Sequence, residues 1–434
     1  MTHFLDSAEA GFAEALRQLV DARRESEADV SASVAEIIAD VRKRGDEALH
    51  DLTGRLDGFD SRATGLAITG EEVEAAIARV APEVLSAMEL AARRIGAYHR
   101  RQLPKDELYA DEVGARLGHR WTPVEAAGLY VPGGLAAYPS SVLMNAIPAR
   151  VAGVSRLVMV VPTPQGAVND LVLAAARAAG VDEIWRIGGA QAIAALAHGT
   201  QSIRPVDVIV GPGNAWVAEA KRQVFGRVGI DMIAGPSEVL IIADDSANPE
   251  WLAADLLAQA EHDATAQSIL VTTSPRLAQA VSAAVERQLE SLPKRDIAGA
   301  SWRDFGVVIT VKDMEEAARV SDAFAPEHLE LAVEDPDALL ARVRHAGAIF
   351  MGHHTPEAVG DYVAGPNHVL PTSRSARFSS GLSVLDFMKR TTILNCSEEA
   401  LRAIGPAAVT LAETEGLDAH ARSVALRLGR GGGG

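Results

Sequence analysis

A single cysteine, Cys396, stands in a chain of 434 residues. One thiol excludes a disulfide framework, a four-cysteine zinc site and a Cys-x-x-Cys redox pair. Aromatic residues make up only 4%, too few for a base-stacking platform. Positive charge is short as well: 41 Lys and Arg against 58 Asp and Glu leave a formal charge of −17 with His neutral. Binding a polyanion needs clustered cations to neutralise phosphates. The nearest approaches to a cluster are the isolated pairs Lys221-Arg222 and Lys389-Arg390, so nucleic acid is not an expected partner. The longest apolar stretches run about ten residues, half of the ~20 that a membrane-spanning helix needs. The opening MTHFLDSAEAGFAEALRQ lacks the basic-then-apolar pattern of a secretion signal. These absences together lead to the expectation of a cytoplasmic protein with no membrane partner.

What the chain has is a large apolar fraction, 48%, and a length of two or three domains. Residues 1–120 read as a helical region: GFAEALRQLVDARR, VSASVAEIIADVRKRGDEALHDLTGRLD and EEVEAAIARVAPEVLSAMELAARRIGAYHRRQL repeat apolar residues three and four apart. From Trp121 short apolar runs alternate with helical segments. GLYV, RLVMVVP, EIWRIGG, DVIVGPG and MIAGPSEVLIIAD form one set over 121–236 and into the next unit, and SILVTTS, FGVVITV and GAIFMG form a second within 237–383. Strand and helix alternating at this spacing predict parallel sheets with helices on both faces. The expected fold is therefore α/β, with two incomplete Rossmann-like parallel-sheet domains flanked by helical N- and C-terminal segments. Residues 384–434 form the last of these and close on GRGGGG, which reads as a tail outside the fold.

In open α/β sheets, ligands bind outside the C-terminal ends of the strands. Glycine-rich turns are expected at those ends: Pro132-Gly133-Gly134, Gly188-Gly189-Ala190-Gln191, Gly211-Pro212-Gly213-Asn214 and Gly235-Pro236-Ser237. Taken singly, each simply makes a tight turn. Four together point to a cofactor cleft where backbone N–H groups approach a ligand. The usual dinucleotide fingerprint is missing, because Trp216 stands where a third glycine belongs. There is no GxxxxGK[ST] loop. Gly235-Pro236-Ser237-Glu238-Val239 lacks the closing glycine of a nucleophile elbow.

Of twelve histidines, four lie in dense polar surroundings. His262 shares a helix face with Gln259 at i, i+3. His328 follows Glu327 after Pro326, where a helix is expected to start. His368 and Asp361 flank the Gly365-Pro366-Asn367 turn, and His420 follows Glu415 in the C-terminal helix. Each reads singly as a surface or satisfied core residue. Jointly they suit either a zinc or manganese site with N and O ligands, or acid–base work near neutral pH. The absence of HExxH excludes the common metalloprotease arrangement.

Taken in order, GLYVPGG, GGAQAIAALAHGT, VGPGNAWVAEAKRQV, DMIAGPSEVLIIAD, DLLAQAEHD, APEHLE, GDYVAGPNHVLPT, FSSGLSVLDF and EGLDAHARSVALR resemble the histidinol dehydrogenase family over essentially the whole chain. The resemblance implies a four-electron oxidation of L-histidinol through histidinal to L-histidine, the last step of histidine biosynthesis, with two NAD⁺ reduced. It implies one zinc per subunit held by Gln259, His262, Asp361 and His420, and a catalytic pair in Glu327 and His328. Substrate contacts are implied for Ser237, Gln259, His262, His328, Asp361, His368, Glu415 and His420, and NAD contacts for Tyr130, Gln191 and Asn214. A homodimer with exchanged C-terminal segments is implied too, placing Glu415 and His420 in the partner's site. The nearest rival is a dehydrogenase of the same fold acting on another amino or sulfonated polyol. A silent NAD-binding scaffold and a metal-dependent hydrolase are the rivals from other classes.

Overall fold

The computed structural model describes residues 2–22, 30–133, 138–233 and 235–429. Gly134 of the first glycine turn and the glycine-rich end from Arg430 lie outside the described residues. The chain forms two compact units, residues 1–102 with 125–387 and residues 103–124 with 388–434. No helix of the described residues is long and apolar enough to cross a membrane.

The first unit contains two parallel sheets. One has five strands in the order Glu183–Trp185, Arg156–Val160, Ala126–Tyr130, Val208–Val210 and Gly229–Ile230, all parallel. Its central strand Ala126–Tyr130 is buried at every position, as expected where helices cover both faces. The second sheet has six parallel strands in the order His3–Asp6, Val307–Thr310, Gln267–Thr272, Glu238–Ala243, His328–Ala332 and Ala348–Met351. Strand alternation sends Val239, Ile241 and Ala243 to one face, against the helices Pro249–Ala260 and Pro275–Leu289. Leu240, Ile242, Leu329 and Leu331 face the opposite way, against Met314–Phe324. The α/β class with parallel sheets is as the sequence led one to expect.

Five strands fall where helix was expected: His3–Asp6, Glu107–Ala110 and Arg116–Pro123 in the N-terminal region, His328–Ala332 after Pro326, and Met388–Asn395 in the C-terminal segment. His3–Asp6 is only four residues long and exists by pairing with Val307–Thr310 at the sheet edge, a partner that local periodicity cannot reveal. The stretch after Pro326 is not a helix start. The preceding helix ends at Ala325 in the left-handed region, φ 47°, and His328–Ala332 continues as a buried strand with period two. Gly235-Pro236-Ser237 also departs from expectation, since it precedes strand Glu238–Ala243 and so lies at the entering edge of the second sheet.

The second unit holds a three-stranded antiparallel sheet in the order Met388–Asn395, Arg116–Pro123 and Glu107–Ala110. It also holds the helices Glu398–Thr414 and Asp418–Arg427. Gly405 lets these helices pack closely: a Cβ there would lie 3.1 Å from Leu428 and Val424.

Candidate active site

Three glycine turns follow strands of the first sheet and edge a cavity of about 950 Å³ lined by Tyr130, Pro132, Gly133, Gly188, Gly189, Gln191, Gly213 and Asn214. The helix Ser31–Arg44 supplies part of the opposite wall through Ile37 and Asp40. Tyr130 ends its strand, and its hydroxyl accepts the Gly189 N–H at 3.1 Å. Burial pushes its phenol up to about 12, so it acts as a neutral hydroxyl. Gln191 is buried, and its Oε1 has no partner among the described residues. Asn214 caps the helix Ala215–Val224, its Oδ1 accepting the N–H groups of Trp216 at 3.1 Å and Val217 at 3.2 Å.

A second cavity of about 980 Å³ shares Pro132, Gly213 and Asn214 with the first, and adds Ser237, Gln259, His262, Glu327, His328, Glu357, Asp361 and His368. Ser237 sits immediately before strand Glu238–Ala243, and Glu327 immediately before His328–Ala332. The Glu238 N–H donates to Glu327 Oε2 at 3.0 Å, and Ser237 stands beside this carboxyl. Burial raises the Glu327 carboxyl well above its ordinary range, with the neighbouring carboxyls of Glu238 and Asp361 adding to the shift. His328 Nδ1 lies 3.0 Å from the Glu238 carbonyl oxygen. A carbonyl can only accept, so Nδ1 carries the proton and Nε2 keeps its lone pair. That Nε2 is buried without a hydrogen-bond partner and lies 3.8 Å from Asp361 Oδ1. Burial lowers His328 to about 3, which keeps the ring neutral with its free nitrogen unprotonated.

The helix Pro249–Ala260 starts on the Asn248 cap, whose side chain accepts the Glu250 N–H at 2.9 Å. Its last turn delivers Gln259, fully buried, with neither amide Oε1 nor Nε2 partnered among the described residues. Orphaned polar atoms cost about 1–3 kcal/mol when buried, and a ligand at this point would recover that cost. His262 follows beyond the helix end. Ligand atoms of His262, Glu357 and Asp361 all lie within 4.8 Å of one another. Burial pushes Asp361 up to about 7 and His368 down to about 4. His368 Nδ1 stands 3.1 Å from the Asp361 carbonyl oxygen.

The first unit thus brings Ser237, Gln259, His262, Glu327, His328, Asp361 and His368 to one cavity. Glu415, at the end of helix Glu398–Thr414, and His420, in helix Asp418–Arg427, belong to the second unit and are exposed there. Sequence reasoning passed over Glu357. It shares the face of helix Glu357–Tyr362 with Asp361 at i, i+4, and its N–H donates to buried Glu330 at 2.7 Å. Glu330 in turn shares a hydrogen bond with Asp255. The four-residue spacing of two acids around Gly360 was the available signal.

A parallel sheet edged by glycine turns beside a cavity, and a second sheet edged by a neutral buried histidine, a buried carboxyl and an N/O donor cluster, define an α/β enzyme. The histidinol dehydrogenase family model matches residues 20–428. The chain is 64% identical to histidinol dehydrogenase of Rhizobium meliloti over 94% of each chain, and 63% identical to that of Cereibacter sphaeroides over 99% of each. The crystal structure of histidinol dehydrogenase from Elizabethkingia anophelis superposes with a TM-score of 0.94 at 36% identity, covering 98% of each chain. This chain belongs to the histidinol dehydrogenase family, and it is an enzyme, an oxidoreductase.

Proposed function

We propose that this enzyme carries out the last step of histidine biosynthesis, oxidising L-histidinol to histidinal and then to L-histidine at one site while two NAD⁺ are reduced. Support comes first from His328: a buried neutral imidazole whose Nε2 has no partner and faces the cavity that holds the donor cluster.

Gln259, His262 and Asp361 fit a zinc ion, because the amide is buried without partners and an imidazole and a carboxylate stand ready beside it. Zinc bound there supplies a template that grips the imidazole and amine of the substrate. The first cavity fits a dinucleotide through Tyr130, Gln191 and Asn214 on its glycine turns, and NAD⁺ held there supplies the hydride acceptor. In the first oxidation His328 Nε2 takes the hydroxyl proton of the alcohol as hydride leaves its carbon. Glu327 then takes a proton from the water that adds to the aldehyde, burial having raised its affinity for protons above that of an ordinary carboxylate. His328 serves again as base in the second oxidation. Ser237 and His368 contact the substrate, and the cavity that they line keeps the aldehyde bound between the two hydride transfers.

The reading includes a homodimer with exchanged C-terminal segments, in which Glu415 completes the substrate contacts and His420 the metal ligands of the partner's site. It also includes one zinc per subunit, a cytoplasmic location and a division into Rossmann-like domains at 121–236 and 237–383. His368 and Glu415 favour an imidazole- and amine-bearing substrate over another amino or sulfonated polyol. The test is NADH formed per L-histidinol consumed, before and after chelation. A ratio near two that is lost on chelation and restored by zinc supports the reading. A ratio near one means that the aldehyde is released, and no NADH from histidinol moves the substrate to the rival class.

A further inference from the structure

We propose that the buried Lys221–Asp231 ion pair is a positioning pair for cofactor binding, clamping the Gly211 turn in the shape that receives the dinucleotide. The inference rests on the reading of the first cavity as the NAD site, which this turn lines through Gly213 and Asn214, while Gly211, Lys221 and Asp231 line the adjoining second cavity. The two side chains are 5% and 1% exposed. Lys221 Nζ donates to Asp231 Oδ1 and, at 3.0 Å, to the Gly211 carbonyl. The other carboxylate oxygen, Asp231 Oδ2, accepts the Gly211 N–H at 2.7 Å. Both polar groups of one backbone residue are therefore held by two side chains that also hold each other, in a closed ring.

Gly211 is the residue that needs holding. Its φ is +114°, and a Cβ there would stand 2.1 Å from the Tyr130 carbonyl oxygen. The turn is pressed against the end of the strand that carries Tyr130, and three residues later Asn214 opens the helix on which Lys221 sits. Burying two charges is a poor way to gain stability, because apolar residues of equal volume often do as well. Here the pair does what apolar residues cannot, satisfying the N–H and the C=O of a glycine whose own conformational freedom would otherwise let the turn wander. A turn ordered before the ligand arrives spares the ligand that ordering cost.

The experiment compares the zinc-loaded wild type with Lys221→Met/Asp231→Asn, which removes both charges together and leaves no unpaired ion. NADH binding is read by fluorescence titration, folding by thermal melting, and turnover by the separate KM values for NAD⁺ and L-histidinol. The double variant should melt close to the wild type and bind NADH about tenfold more weakly, roughly what the freeing of one backbone residue is worth. KM for NAD⁺ should rise with it while KM for L-histidinol stays within about twofold. A folded double variant with wild-type NADH affinity, or one whose two KM values rise together, overturns the proposal. Should the double variant fail to fold, Lys221→Arg decides: the planar fork cannot reproduce a single-point donor, and unchanged NADH affinity in that variant overturns the clamp. A wild type that binds no NADH removes the cofactor reading itself and the clamp with it, and that outcome is visible before any variant is measured.

Discussion

Replacing Gln259 with Met should stabilise the metal-free protein and weaken its grip on zinc, two effects of opposite sign from one substitution. Gln259 is fully buried, and neither of its amide atoms has a partner among the described residues. Methionine keeps the unbranched shape and removes the orphaned atoms, so the chelated variant should gain about 1–3 kcal/mol, the usual penalty for a buried polar group left unpaired. With unfolding entropy of about 2.1 cal/mol/K per residue over 434 residues, each kcal/mol is worth roughly 1 °C, and the melting point should rise by about 1–3 °C. Zinc reverses the comparison. At a free concentration of 1,000 times its Kd the wild type gains about 4 kcal/mol, whereas a site a hundredfold weaker gains only about 1.4 kcal/mol at the same zinc. The gap seen after chelation should therefore close or invert. Calorimetry of both proteins, chelated and zinc-saturated, gives the four numbers. A chelated Gln259→Met that melts below the chelated wild type would refute the reasoning, because the amide would then be satisfied without a metal.

His328→Asn should lower kcat by about 10²–10⁴, the usual worth of a general base, with zinc content unchanged; a loss under tenfold in initial NADH formation rules out the assigned role. Glu327→Gln should slow the oxidation of histidinal more than that of histidinol in single-turnover measurements, and equal losses in both contradict its part in hydrating the aldehyde. Asp255 gives a pH signature. Burial raises it from 3.8 to about 6, so the folded state holds the proton more tightly than the unfolded chain does. Its contribution is then fully present below pH 3.8 and is lost as pH rises through about 6. Chelated wild type should lose on the order of 2 kcal/mol relative to Asp255→Asn between pH 4 and pH 7 in urea unfolding, and parallel curves for the two proteins would refute the shift.

Much of the architecture was legible because strands buried on both faces announce themselves as short continuous apolar runs. Arg156–Val160 and Val208–Val210 were visible for that reason. His328–Ala332 was not. It reads HLELA, with His328 and Glu330 on one face, and these ionisable residues erase its apolar signature. The histidine and carboxylate candidates were found by residue type and local spacing, yet Glu357 escaped because its importance comes from its neighbours, Asp361 and Glu330, and not from its own surroundings in the sequence. In the first sheet the glycine turns follow the strands as expected, whereas in the second Ser237 and Glu327 precede them.

That reversal has a physical reason, and it explains why Glu327 and His328 are so closely held. The helix Pro249–Ala260 leaves the exit edge of the second sheet and returns to its entering edge, so Gln259 and His262 land beside the residues that begin the strands. At that edge one backbone residue holds both side chains. The Glu238 N–H donates to Glu327, and the Glu238 carbonyl accepts from His328 Nδ1. The same peptide neighbourhood therefore fixes where the carboxyl points and which imidazole nitrogen keeps its lone pair. Its own side chain is spoken for, accepting the Ser373 N–H at 3.2 Å. Because the anchor is main chain, no residue type in the sequence betrays it, and it arises only when Glu238–Ala243 and His328–Ala332 pair as neighbours in register. The arrangement of Glu327 and His328 is thus a consequence of strand pairing as much as of the two residues themselves.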